Sequence, residues 1–126
     1  MAKPKLNKNA QKWVRALRSG KYKQGRGVLH GAGDKFCCLG VACNLALESG
    51  LKLETFTDLA GNTSYDGAGC YLPYKVRKWL GLRQNTGAYA KNSKSGSTLA
   101  HLNDAGKRFT TIARIIESKP EGLFVD

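Results

Sequence analysis

Two histidines, four cysteines and nine carboxylates are the side chains of this 126-residue sequence able to do covalent or proton-transfer chemistry, and few of them fall close together. His30 and His101 are the candidate general bases. Working as a pair they could serve as acid and base on a phosphodiester, because imidazole titrates near neutrality; each is more often a hydrogen-bonded or surface histidine. Cys37 or Cys38 would become a nucleophile only at a helix N-terminus that lowers the thiol pKa, with His30 beside it. A zinc site would need Cys37 or Cys38 to converge with Cys43, Cys70 and His30, and adjacent cysteines do not make a C-x-x-C knuckle. Three of the four thiols lie in an apolar run, where free cysteine packs as a small hydrophobe. Neither a metal nor a cofactor is expected. The motifs of nucleotide hydrolases, dinucleotide-dependent dehydrogenases, zinc proteases and serine hydrolases are absent, which weakens the enzyme class without closing it.

Binding chemistry is better supplied. Arg18, Lys21, Lys23 and Arg26 fall within nine residues together with Tyr22 and Gln24. Arginine forks hold phosphate, tyrosine stacks on a base and an amide reads a polar edge. With His30, this segment forms one candidate wall of a pocket, and Asn103 and Asp104 form the other. The candidate ligand-binding set is therefore Arg18, Tyr22, Lys23, Gln24, Arg26, His30, Asn103 and Asp104. Asn103 and Asp104 are also accounted for as helix caps around Gly106, and Gly25 and Gly27 either bare the backbone to a ligand or serve as turn residues.

The charge distribution agrees with an anionic partner. Twenty-one Lys and Arg against nine Asp and Glu give a formal net charge of +12, and residues 1–33 and 67–103 contain no acid at all. Such a field attracts polyanions or phosphorylated small molecules, although it also serves plain solubility. Nucleic acid is the broader alternative, but no helix-turn-helix, ribonucleoprotein aromatic pair or zinc finger accompanies the charge. A membrane partner is not expected, because no segment joins a basic face to a broad apolar one.

These residues need elements to position them, and the length suits one domain with a modest core. Residues 35–50, K-F-C-C-L-G-V-A-C-N-L-A-L-E-S-G, are nearly free of charge and apolar on all sides, the pattern of a buried central helix. A basic lead over residues 1–8 gives way to a helix capped by Asn7 or Asn9, running to about Ser19 with Trp13, Val14, Ala16 and Leu17 inward. Residues 28–30 and 35–38 read as a hairpin around a Gly31–Asp34 turn. Residues 51–71 read as short strands or loops. Pro73 opens a second amphipathic helix with Val76, Trp79 and Leu80 inward, closed by Gly81. Ala88, Tyr89 and Ala90 suit a short strand, residues 91–97 a polar loop, and residues 109–118 a last amphipathic helix stopped by Pro120. Leu123, Phe124 and Val125 either dock as a terminal strand or contact another subunit. The sum is a single α+β domain, residues 1–126, with about three main helices and a small antiparallel sheet.

Three motifs carry a resemblance. W-V-R-A-L-R-S-G-K-Y-K-Q at residues 13–24, F-C-C-L-G-V-A-C at 36–43 and L-N-D-A-G-K-R-F-T-T-I-A at 102–113, with L-P-Y-K-V-R-K-W-L-G-L at 72–82 between them, cover most of the chain. The combination resembles a family of small bacteriophage proteins. The resemblance implies an accessory protein of the host bacterial cytoplasm that blunts host defence, in the manner of sponges that sequester nucleotide immune signals such as cyclic ADP-ribose derivatives or cyclic nucleotides. It also implies a homo-oligomer, a dimer or larger, with pockets near subunit contacts. The remaining alternatives are a nucleic-acid-binding accessory protein and a phosphodiesterase acting on a cyclic nucleotide.

Overall fold

The computed structural model describes residues 6–89 and 98–125. Most of the expected basic lead, Ala90 and the expected 91–97 loop lie outside the described residues.

The first helix, α1 (Lys8–Arg18), starts where Asn7 turns its side chain back to accept from the Ala10 N–H at 2.8 Å. Its apolar stripe of Ala10, Trp13, Val14 and Leu17 is buried, and the Trp13 indole N–H donates to the Cys38 carbonyl at 2.8 Å. That bond pins α1 to the start of the central helix.

The central helix, α2 (Cys38–Glu48), buries Cys38, Leu39, Gly40, Val41, Ala42, Cys43 and Ala46. It packs against α1 and against the third and fourth helices described below, as its all-round apolarity requires. A close crossing sits at its first turn. A methyl group on Gly40 would overlap the Leu29 carbonyl, so only glycine lets the preceding loop lie across the helix there.

Five short strands form one sheet in the order β1-β3-β2-β5-β4. They are β1 (Lys23–Gln24), β2 (His30–Gly31), β3 (Lys35–Phe36), β4 (Thr55–Thr57) and β5 (Thr63–Tyr65). β2 and β3 form the expected hairpin, with His30 opposite Phe36. β1, however, runs parallel to β3, so the sheet is mixed where antiparallel pairing alone was expected. The connection that permits this is the 25–29 segment, which leaves β1 and returns through β2 before β3 inserts between them.

The remaining helices are α3 (Tyr74–Leu80), α4 (Leu99–Asp104) and α5 (Phe109–Glu117). Pro73 precedes α3 and Gly81 closes it in the left-handed conformation. Val76 and Leu80 are buried, while Trp79 is only half-buried. Five helices thus stand where about three main ones were expected. Four of them, α1, α2, α3 and α5, stand where the sequence places helices; the addition is α4, six residues long, whose few turns carry too little period to read.

Leu123 is fully buried, and residues 123–125 dock on the chain itself: the Arg83 N–H donates to the Leu123 carbonyl at 3.0 Å and the Val125 N–H to the Gly81 carbonyl at 2.8 Å. No helix among the described residues is long and apolar enough to cross a membrane.

Candidate functional site

The segment rich in phosphate-binding side chains leaves α1 at Ser19 and enters the sheet at β1. Its side chains then divide between an open groove and a packed hub. Tyr22 and Lys23 face one side, together with Lys21. There they line an open groove of about 460 Å³, completed by Gly33, Asp34 and Phe36 and by Asn44 and Glu48 from α2. Asn44 and Glu48 are four residues apart, so one face of α2 presents both.

Each polar group in the groove has a physical setting. The Asn44 amide donates to the Tyr22 hydroxyl at 2.8 Å, and the Tyr22 ring meets Phe36 edge to face at 5.0 Å. Partial burial raises the Tyr22 pKa; the Asn44 bond works against that shift and the Glu48 charge adds to it. The phenol is therefore neutral near pH 7 and keeps its O–H as a donor. Lys21 and Lys23 are exposed at the rim.

Gln24 turns to the opposite side and meets Asn103. The Asn103 side chain, fully buried, accepts from the Gln24 amide at 2.9 Å and from the Cys38 N–H at 3.0 Å, and donates to the Gly25 carbonyl at 2.8 Å. Gln24 also donates to the Lys107 carbonyl at 2.7 Å, and Asp104 accepts from the Gly27 N–H at 2.9 Å. Asn103 and Asp104 are the last two residues of α4 rather than caps. Their amide and carboxylate tie the edge of the sheet, the start of α2 and the end of α4 into one hub. Gly25 serves that packing, since its Cα lies against Lys35 closely enough that a methyl would approach the Lys35 Cβ to 2.9 Å.

Arg26 is exposed, with its guanidinium against Gly106. Arg18 lies on the outer face of α1, where its guanidinium holds Glu117 of α5 through two bonds of 2.9 and 2.7 Å. The hydrogen bonds and charge of Glu117 raise the already high Arg18 pKa, against a small desolvation.

His30 sits behind the groove. Its ring stacks on Phe36 at 4.0 Å. Its Nδ1 is 2.9 Å from the Tyr65 hydroxyl and its Nε2 is 2.9 Å from the Asp34 carboxylate. With the carboxylate accepting from Nε2–H, Nδ1 accepts from the phenol, whose pKa burial raises. Both ring nitrogens are engaged by the protein. His101 is exposed on α4, with no hydrogen bond or ring contact joining it to His30.

The thiols are placed by packing. Cys37, Cys38 and Cys43 are buried and Cys70 is exposed. Cys37 occupies the N-cap of α2 and accepts from the Gly40 N–H at 3.4 Å. Desolvation outweighs that bond and pushes its thiol from the ordinary value near 9.0 up to about 11, the reverse of nucleophile activation. Among the described residues, no group of three or more His, Cys, Asp or Glu is placed to hold a metal ion.

The candidate set is thus divided. Tyr22 and Lys23 come together in the groove, while Gln24, Asn103 and Asp104 come together in the hub. Arg18, Arg26 and His30 are held elsewhere. The groove residues that sequence reasoning passed over are Asn44 and Glu48, hidden within the apolar run of α2; the signal for them was their i,i+4 spacing as the two most polar side chains of that run.

Residues 6–120 match the family model described as a domain of unknown function, DUF8296, and the chain belongs to that family. No curated protein and no solved structure matches it.

Proposed function

We propose that this chain is a phage-type accessory protein that binds a phosphorylated nucleotide in the Tyr22 groove and sequesters it without turnover, so countering a host defence signal. The observation that supports the reading is the convergence, on one open volume, of an aromatic pair, an amide, two lysines and two carboxylates, Asp34 and Glu48. The volume of about 460 Å³ is of the size that small-molecule sites occupy. Lys21 and Lys23 suit phosphate, the half-buried Tyr22 ring suits the face of a base, and Glu48 suits a ribose hydroxyl or exocyclic amine as acceptor. The resemblance to small phage proteins supplies the defence setting, and analogy with such sponges supplies an oligomer of two or more copies.

A thermal-shift panel of cyclic dinucleotides, ADP-ribose derivatives and short oligonucleotides, with chromatography of the recovered ligand, tests the proposal. One nucleotide should stabilise the protein and come back intact; at 100 times its dissociation constant it adds about 2.7 kcal/mol. Lys21→Ala combined with Lys23→Ala should reduce that shift with little change in the melting temperature of the free protein. An unchanged shift in the double variant would remove the groove from the proposal. A cleaved ligand would replace sequestration by phosphodiester hydrolysis, for which His30 would have to exchange its Asp34 or Tyr65 bond for one to the substrate.

A further inference from the structure

Away from the groove, α3 carries a surface whose composition is unusual for a helix flank. Val76 and Leu80 anchor it to the core, leaving Tyr74, Lys75 and Lys78 exposed and Arg77 half-buried. Tyr74 is 66% exposed, and Tyr71, just before the helix, is 48% exposed. The Arg77 guanidinium lies 5.3 Å from the Tyr74 ring centre and the Lys78 ammonium 5.8 Å from it. Tyr74 keeps that exposure with both cations over its ring.

Basic side chains predominate on this face. No carboxylate occurs in residues 67–103; from outside that window Asp66 brings its Oδ2 to 3.9 Å from the Lys75 ammonium, and Glu54 lines the same cavity as these two. Lys75 is partly neutralised by that contact and also donates to the Lys52 carbonyl at 3.0 Å. Arg77 donates to the Leu82 and Arg83 carbonyls at 3.2 Å, which fixes its plane without cancelling its charge. Arg77 and Lys78 therefore supply the net positive potential next to the open ring. A second copy presenting this same basic face would be repelled from it. A lipid surface would ask for an apolar band, which α3 lacks on its outer side.

We propose that the α3 face is a docking surface for single-stranded nucleic acid, with bases stacking on Tyr74 and Tyr71 and phosphates meeting Arg77 and Lys78. Exposed rings flanked by cations form the platform that unpaired bases use, whatever their sequence. A duplex keeps its bases stacked on one another and leaves such rings without a partner. This surface is separate from the groove, whose lining includes no residue of α3.

Fluorescence anisotropy of the full chain with a dye-labelled oligo-dT of about 15 nucleotides, and with a duplex of the same length, tests this at several salt concentrations. The single strand should bind more tightly than the duplex. Tyr74→Ala should weaken single-strand binding by roughly tenfold. Lys78→Ala should make the salt dependence shallower by a slope of roughly 0.7 per lost phosphate contact. As a readout independent of any substitution in α3, a fluorophore on Cys70, the exposed thiol beside Tyr71, should change its emission when oligo-dT binds. Duplex binding as tight as single-strand binding, an unaltered Tyr74→Ala, a silent Cys70 label or no binding of oligo-dT would each overturn the proposal.

Discussion

The two sides of β1 are built from the same kinds of residue and do opposite things. On one side the half-buried Gln24 amide donates twice within the chain, and the fully buried Asn103 amide accepts two bonds and donates one to the Gly25 carbonyl. On the other, Tyr22 and Asn44 make one bond to each other and leave the rest of their capacity, with two lysines, open to a 460 Å³ groove. Residue type does not separate an amide committed to the fold from one left open to a groove; unfilled hydrogen-bonding capacity next to solvent does.

The comparison breaks or holds first on a pair of matched deletions. Asn103→Ala orphans the Cys38 N–H and the Gly25 carbonyl and should cost about 3 kcal/mol in urea unfolding. Asn44→Ala removes one half-buried bond and should cost about 1 kcal/mol or less, while altering nucleotide affinity. Equal losses in the two variants would erase the distinction.

Alkaline pH should act next, and on the buried side. Burial raises the thiols of Cys37, Cys38 and Cys43, so they stay neutral in the folded chain after those of the unfolded chain have ionised. The stability they contribute is complete below pH 9.0 and is lost as pH climbs through the folded value, about 11 for Cys37. Cys37 alone accounts for roughly 2–3 kcal/mol over that window. Melting temperatures should fall steeply above pH 9, and a flat profile to pH 11 would show the thiols to be open to water.

The smallest effect belongs to Arg18. Its ion pair with Glu117 is exposed at both ends, so Arg18→Ala should cost less than about 1 kcal/mol, and less again at high salt. Nucleotide affinity should be unchanged. A loss of affinity in Arg18→Ala would move the ligand out of the groove and onto the α1–α5 face.

Much of this was legible because long apolar periods name their own elements. The charge-free run around Leu39–Ala46 identified α2, and Asn7, Pro73 and Gly81 marked helix ends through their backbone chemistry. The parallel pairing of β1 with β3 was not legible, because strands of two residues carry no period and their partners are set by the crossing at Gly40 and by the Asn103 bonds. The site was legible in half. Tyr22 and Lys23 stood out by type, but a sequence cannot show that Gln24 faces the other way, nor that a carboxylate 99 residues from Arg18 occupies its guanidinium.

That same distance has a consequence during synthesis. The stripe of Trp13, Val14 and Leu17 on α1 is covered in large part by α5, from the far end of the domain. While the ribosome is still making the middle of the chain, this stripe lacks its α5 cover, and the domain can close only after residues 109–117 have left the exit tunnel. At the usual pace of elongation, that leaves several seconds in which a nascent basic chain displays a bare apolar helix to the cell's chaperones.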